Sequence, residues 1–198
     1  MKIMTVRYTG TKELLMHNER LANPIDPIVQ EMKALTAKRK KTDADHRDIA
    51  EVEFRGGLYF DDKLGPVIPD RVIRASLIAG ARKLKLGREV TENVVVLETS
   101  YPLEYDGPRT IAGLWQKRYC DQRMVGNQKV RVLRTRPKFP VGWSALVRLQ
   151  FDNDSFDERN LIAVIKRSEN LGIGDYRPLY GTFSSDVESV VAVKGKTA

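Results

Sequence analysis

The chain has a single cysteine, Cys120, so no internal disulfide can form and no cysteine cage can hold zinc. A reducing, cytoplasmic setting is the expectation. Histidine is almost as scarce, at His17 and His46 alone, which leaves few groups able to move protons near neutral pH. No apolar run reaches the length of a secretory signal or a membrane span, so no membrane is expected among the partners. Also missing are a P-loop, a dinucleotide-binding glycine pattern after a strand and a G-x-S-x-G elbow. ATP hydrolysis and dinucleotide redox chemistry lose their signatures, and no cofactor is expected. Asp61-Asp62 and Asp152-Asn153-Asp154 lack the spacing and terminal glutamate of an EF-hand, so they read as solvated loops and no metal is expected.

What the chain has is positive charge. Its 198 residues carry 34 Lys and Arg against 26 Asp and Glu, a formal net charge of +8. That surplus exceeds what solubility needs and points to an anionic partner, nucleic acid first. A hydrophobic content of 41% over this length supports one core and one domain spanning residues 1–198.

Residues 2–8 alternate and read as a first strand inside a sheet. Leu14, Leu15 and Met16 lead to Asn23-Pro24-Ile25-Asp26-Pro27, whose prolines mark an irregular turn. Residues 28–55 form a polar helical insertion, read as two short helices projecting from the core, with Thr42 as N-cap and Asp45 three residues on. Val52, Phe54, Leu58 and Phe60 then read as a strand, with Gly56-Gly57 as a bulge. Gly65-Pro66-Val67-Ile68-Pro69 reads as a turn before a helix capped by Asp70, with Val72, Ile73, Leu77, Ile78 and Ala81 at helical spacing and Gly87 as its stop. Residues 94–97 read as a short strand, 115–140 as a basic β-hairpin and 143–151 as a central strand. Asp157 caps a helix through Ile165, a last strand runs near 187–193, and residues 194–198 read as a flexible tail. This order predicts an α+β fold, a ferredoxin-like or RRM-like antiparallel sheet with helices on one face.

Two segments, with their order, resemble the RAMP superfamily, the repeat-associated proteins that build CRISPR effectors. One is Gly65-Pro66-Val67-Ile68-Pro69 with Ile73, Arg74, Leu77 and Arg82, similar to that family's Ile-Pro turn into a helix with a basic residue one turn in. The other is Leu171-Gly172-Ile173-Gly174-Asp175-Tyr176-Arg177 through Tyr180-Gly181-Thr182-Phe183, similar to its C-terminal glycine-rich loop. Ile25-Asp26-Pro27-Ile28-Val29 falls where backbone subunits of type III effectors carry an acidic residue near a proline. Asp70, where the family often has glycine, and Thr182, where a basic residue is frequent, depart from the pattern. The resemblance implies an RRM-like core that grips single-stranded RNA by its backbone and stacks into filaments, hence a homo-oligomer with CRISPR-type protein subunits among the possible partners. The chain is also similar in size and style to small phage and prophage proteins.

The hairpin carries the densest signal. Lys117, Arg118, Arg123, Lys129, Arg131, Arg134, Arg136 and Lys138 face one acid, Asp121, and are interleaved with Trp115, Tyr119 and Phe139. Cations neutralise phosphates and aromatic faces stack on bases; the alternative is a solvated hairpin whose aromatics are core. Trp143 is a further stacking candidate or a core residue. Lys38-Arg39-Lys40-Lys41 reads either as a clamp on the backbone or as a solvated helix end offset by Asp43, Asp45 and Asp48. Gly172 and Gly174, beside Arg177, offer backbone N–H groups to a phosphate or simply form a helix C-cap and turn. His17, His46 and Asp26 are the candidates for catalysis; each also reads as an ordinary loop residue, Asp26 shaping its turn. The leading expectation is sequence-nonspecific binding of single-stranded RNA or DNA. Its rivals are an endoribonuclease, and a phage-encoded inhibitor or mimic of CRISPR subunits that binds protein or a small nucleotide.

Overall fold

Alternation in β1 (Lys2–Gly10) turns Met4, Val6 and Tyr8 to one side, and all three are buried in the computed structural model, which describes residues 1–126 and 131–193. Residues 127–130, with the expected phosphate ligand Lys129, and residues 194–198, expected as a flexible tail, lie outside the described residues. β9 (Ser144–Phe151) buries Ala145, Val147, Leu149 and Phe151 in the same way. The two strands pair antiparallel, with Val6 opposite Val147 and Met4 opposite Leu149, so their buried sets make one surface. β10 (Phe183–Ala192) pairs with the free edge of β1, and β5 (Val94–Val96) with that of β9, giving the order β10-β1-β9-β5.

Two helices cover the buried face of this sheet. α3 (Asp70–Lys83) contributes Ile73, Leu77 and Ala81, and α6 (Glu158–Glu169) contributes Leu161, Val164 and Ile165 to the same core. They pack on each other, with Ser168 Oγ donating to the Ser76 carbonyl at 3.1 Å and Ser76 Oγ to the Gly172 carbonyl at 2.9 Å. Leu77 is almost wholly buried here, and its truncation to alanine costs about 2–5 kcal/mol. Asp157 caps α6 through the Arg159 N–H as expected. Asp70 does not cap α3: Pro69, with φ −66°, holds the N-cap position, and Asp70 is the first helical residue. Gly87 opens α4 (Gly87–Asn93) rather than ending α3, which closes through Leu84 and Lys85 at φ +61°.

A second antiparallel sheet joins β2 (Leu14–Leu15), β8 (Arg131–Phe139) and β7 (Cys120–Gly126). A third joins β3 (Phe60–Asp61), β4 (Gly65–Pro69) and β6 (Ser100–Pro102), with α5 (Ile111–Leu114) leading towards β7. Residues 65–69 are thus a buried strand rather than a turn. The polar insertion folds as α1 (Pro27–Thr36) and α2 (Asp43–Gly57), and Thr42 and Asp45 form the expected capping box. The strand expected at Val52 and Phe54 is instead the last part of α2, where both side chains are buried. This helix does not project from the core; it packs on β8. Helices and antiparallel sheets together place the chain in the α+β class. Among the described residues no helix is long and apolar enough to cross a membrane.

Candidate nucleic-acid interface

β7 and β8 form the expected hairpin, with Asp121 opposite Arg136, Arg123 opposite Arg134 and Met124 opposite Leu133. Period-two geometry sends Asp121, Arg123, Arg134 and Arg136 to one face. On that face the local charge imbalance is answered by acids from elsewhere. Arg134 Nη1 lies 2.8 Å from Glu53 of α2, and Lys138 Nζ 3.0 Å from Glu13. Arg123 Nε donates to Asp121 at 2.7 Å, and that carboxylate holds the guanidinium further in its charged form. Arg136 Nε approaches Asp175 Oδ2 to 2.7 Å off the hydrogen-bond axis, so the contact is ionic, and its Nη1 is buried without a partner. Four cations offered by sequence as phosphate ligands are therefore paired with acids of the same chain, and of these Arg136 is buried, at 7% exposed.

Lys117, Arg118 and Arg131 are different. All three are exposed, and none joins an ion pair among the described residues. Arg118 lies over the Tyr119 ring at 5.5 Å. In the segment before α2, Lys38 is paired with Asp45, whereas Arg39, Lys40 and Lys41 are exposed without an acidic partner among the described residues.

The aromatics are redistributed too. Tyr119 is 2% exposed and donates its hydroxyl to the Asp106 carbonyl, and Trp143 is fully buried with Nε1 on the Lys12 carbonyl. Phe139 is equally buried. These three are core, which corrects the binding role expected of Tyr119 and decides between the two readings of Trp143 in favour of the core. Trp115 remains, partly buried, with its ring 5.2 Å from Phe54. Sequence reasoning gave no role in binding to Tyr176 and Tyr180. Arg123 lies 5.7 Å from the first ring and 5.0 Å from the second, Arg136 lies 4.9 Å from Tyr176, and Tyr176 is exposed. The available signal was Tyr176 and Tyr180 on either side of Arg177 in the glycine loop.

A groove of about 760 Å³ opens between α2 and the hairpin. His46, Arg47, Trp115, Lys117, Cys120 and Leu133 line it. Burial pushes the Cys120 thiol up to about 11, so it stays protonated at neutral pH.

The glycine loop is tied to the fold by its own backbone. Gly172, Gly174 and Gly181 all have positive φ, and a side chain on Gly181 would collide with the Ile173 carbonyl. The Gly172 N–H donates to Ser168 and the Gly181 N–H to Glu13, so neither is offered to a phosphate. Arg177 is exposed and reaches the Gly172 carbonyl at 3.5 Å. Arg74 leans over α4 towards the Thr91 carbonyl at 3.5 Å. Asp26 caps α1 through the Ile28 N–H at 2.9 Å and pairs with Arg20, a structural role. His46 sits in the groove. His17 sits elsewhere, within electrostatic reach of Asp175, Arg136, Arg134 and Glu53; desolvation together with the two arginines keeps its pKa below the ordinary value.

The face of the four-stranded sheet turned away from α3 and α6 carries Ile3, Thr5, Arg7, Leu146, Arg148 and Gln150, without an aromatic in these register positions. Arg7 is held by Glu104 and Glu188, and Arg148 by Glu98. Base stacking has no platform there. Among the described residues no group of three or more His, Cys, Asp and Glu side chains is arranged to hold a metal ion. No protein-family model matches the chain, and neither does any curated protein.

Proposed function

We propose that the chain binds single-stranded nucleic acid along its phosphate backbone, without sequence preference, through the hairpin and the groove beside it. The observation that carries this reading is where the ion pairs stop. Lys117, Arg118, Arg131, Arg39, Lys40 and Lys41 stay exposed without acidic partners among the described residues, and partly exposed Trp115 and exposed Tyr176 lie near the hairpin. Cations for phosphates and aromatic faces for unpaired bases are what a single strand requires.

The order β10-β1-β9-β5, with α3 between β1 and β5 and α6 between β9 and β10, supports a ferredoxin-like sheet. Beside that sheet, the passage from the Ile-Pro strand β4 into α3 and the glycine loop between α6 and β10 support the RAMP likeness. β10 has a strand on one side only, and Val187 and Val191 are exposed along it. This supports association of copies side by side on the strand.

Fluorescence anisotropy of labelled single-stranded RNA, single-stranded DNA and duplex DNA over a salt series tests the reading, with size-exclusion chromatography of each mixture. Single strands should bind more tightly than duplex, with affinity falling as salt rises and a complex larger than one chain. No binding at low salt would refute it.

A second reading rests on His17. Burial, with the charges of Arg136 and Arg134 within electrostatic reach, lowers the pKa of His17 and so favours the imidazole as a proton acceptor, the role an endoribonuclease needs. Cleaved RNA that disappears with His17→Ala would establish it, and intact RNA after long incubation would remove it.

A further inference from the structure

The groove between α2 and the hairpin has more chemistry than backbone binding uses. We propose that it is a pocket for one nucleotide, its base laid on Trp115 and its phosphate held by Arg47 and Lys117. This rests on the strand-binding reading and adds the place where one base leaves its stack.

The walls supply the parts. Trp115 packs on Phe54 with the ring centroids 5.2 Å apart and the planes tilted by 56°, and it lines the groove. Tyr119 and Trp143 are core, so Trp115 is the aromatic available here. Ala50, Cys120 and Leu133 give the groove an apolar lining for a ring system. Arg47 and Lys117 line it without acidic partners among the described residues, while its carboxylate, Asp121, is already held by Arg123. The groove therefore favours an anion. Gln116 and Gln122 also line it, and Gln122 Nε2 has only a 3.3 Å contact with Thr135 Oγ1, so amide groups are on hand for a base edge. A volume of about 760 Å³ holds one nucleotide rather than a folded strand.

The test uses the full chain and two probes, adenosine monophosphate and a short single-stranded oligonucleotide. Trp143 is fully buried, so a change in tryptophan emission on binding reports Trp115. Alkylation of Cys120, in the same groove, is a second readout. Both probes should quench emission and slow alkylation. Arg47→Gln, an exposed change that leaves the core alone, should weaken adenosine monophosphate about tenfold, as should Trp115→Phe with loss of the emission signal. If the oligonucleotide binds by anisotropy but neither probe moves emission or alkylation, the pocket is refuted and strand binding stands. If adenosine monophosphate quenches and no oligonucleotide binds, the pocket stands and strand binding is refuted.

Discussion

The division of the hairpin cations into engaged and exposed sets gives a quantitative expectation for salt dependence. For single strands, the slope of log affinity against log salt is about −0.7 per phosphate neutralised, so Lys117, Arg118 and Arg131 together account for a slope of about −2. Between 50 and 200 mM salt that is about a twentyfold loss of affinity. Replacing all three by glutamine should therefore flatten the slope by about 2 and remove about that factor from the salt response. Arg134→Gln should behave otherwise. Its guanidinium is 2.8 Å from Glu53, so its loss should lower thermal stability and leave the slope alone. Anisotropy titrations at five or so salt concentrations separate the two outcomes. A slope unchanged by the triple substitution but flattened by Arg134→Gln would refute the assignment, because the engaged arginines would then be the ones that meet phosphate.

Three further expectations follow from single residues. Glu53 is 4% exposed and accepts from both Arg134 Nη1 and the Thr135 N–H at 2.8 Å; Glu53→Ala strands a buried N–H and should cost about 2–4 kcal/mol in denaturant unfolding, with a loss under about 1 kcal/mol counting against the contact. Gly181→Ala meets the Ile173 carbonyl at φ +70° and should cost about 2–4 kcal/mol, lowering the melting temperature by roughly 5–15 °C. Cys120 should alkylate slowly at pH 8.5 and accelerate towards about 11. Because burial raises this thiol above its ordinary value of 9.0, the folded state holds the proton more tightly, and stability should fall as pH rises from there through about 11. A reactivity midpoint near the ordinary value would contradict the burial.

Much of the main sheet was legible because its signals are local. Met4, Val6 and Tyr8 alternate within one strand, and Ile73, Leu77 and Ala81 repeat within one helix, so each pattern carries its own geometry. The end of α2 was misread because Val52, Phe54, Leu58 and Phe60 are spaced by even numbers, which a strand also allows. What keeps residues 52–57 helical lies outside them. A side chain on Gly56 would meet Leu21 and Ile28, and one on Gly57 would meet Pro137, so these glycines let neighbours close in on the helix rather than forming a bulge. The site suffered from the same locality. Counting charge between 117 and 138 finds one acid, whereas Glu13, Glu53 and Asp175 arrive from far along the chain.

That long-range pairing gives the basic segment two jobs. Arg134 fastens β8 to α2, Lys138 fastens it to the residue before β2, and Arg136 and Arg123 fasten the hairpin to the glycine loop through Asp175, Tyr176 and Tyr180. An exposed two-stranded ribbon alone is marginal in water. Anchored at its base by buried and half-buried cations, it can hold Lys117, Arg118 and Arg131 in defined places on the surface. Net charge therefore overstates the number of phosphate ligands, and the anchoring set governs whether the exposed set is presented at all. Loss of an anchoring arginine should reduce binding through the folded population, at every salt concentration alike, whereas loss of an exposed cation should act most where salt is low.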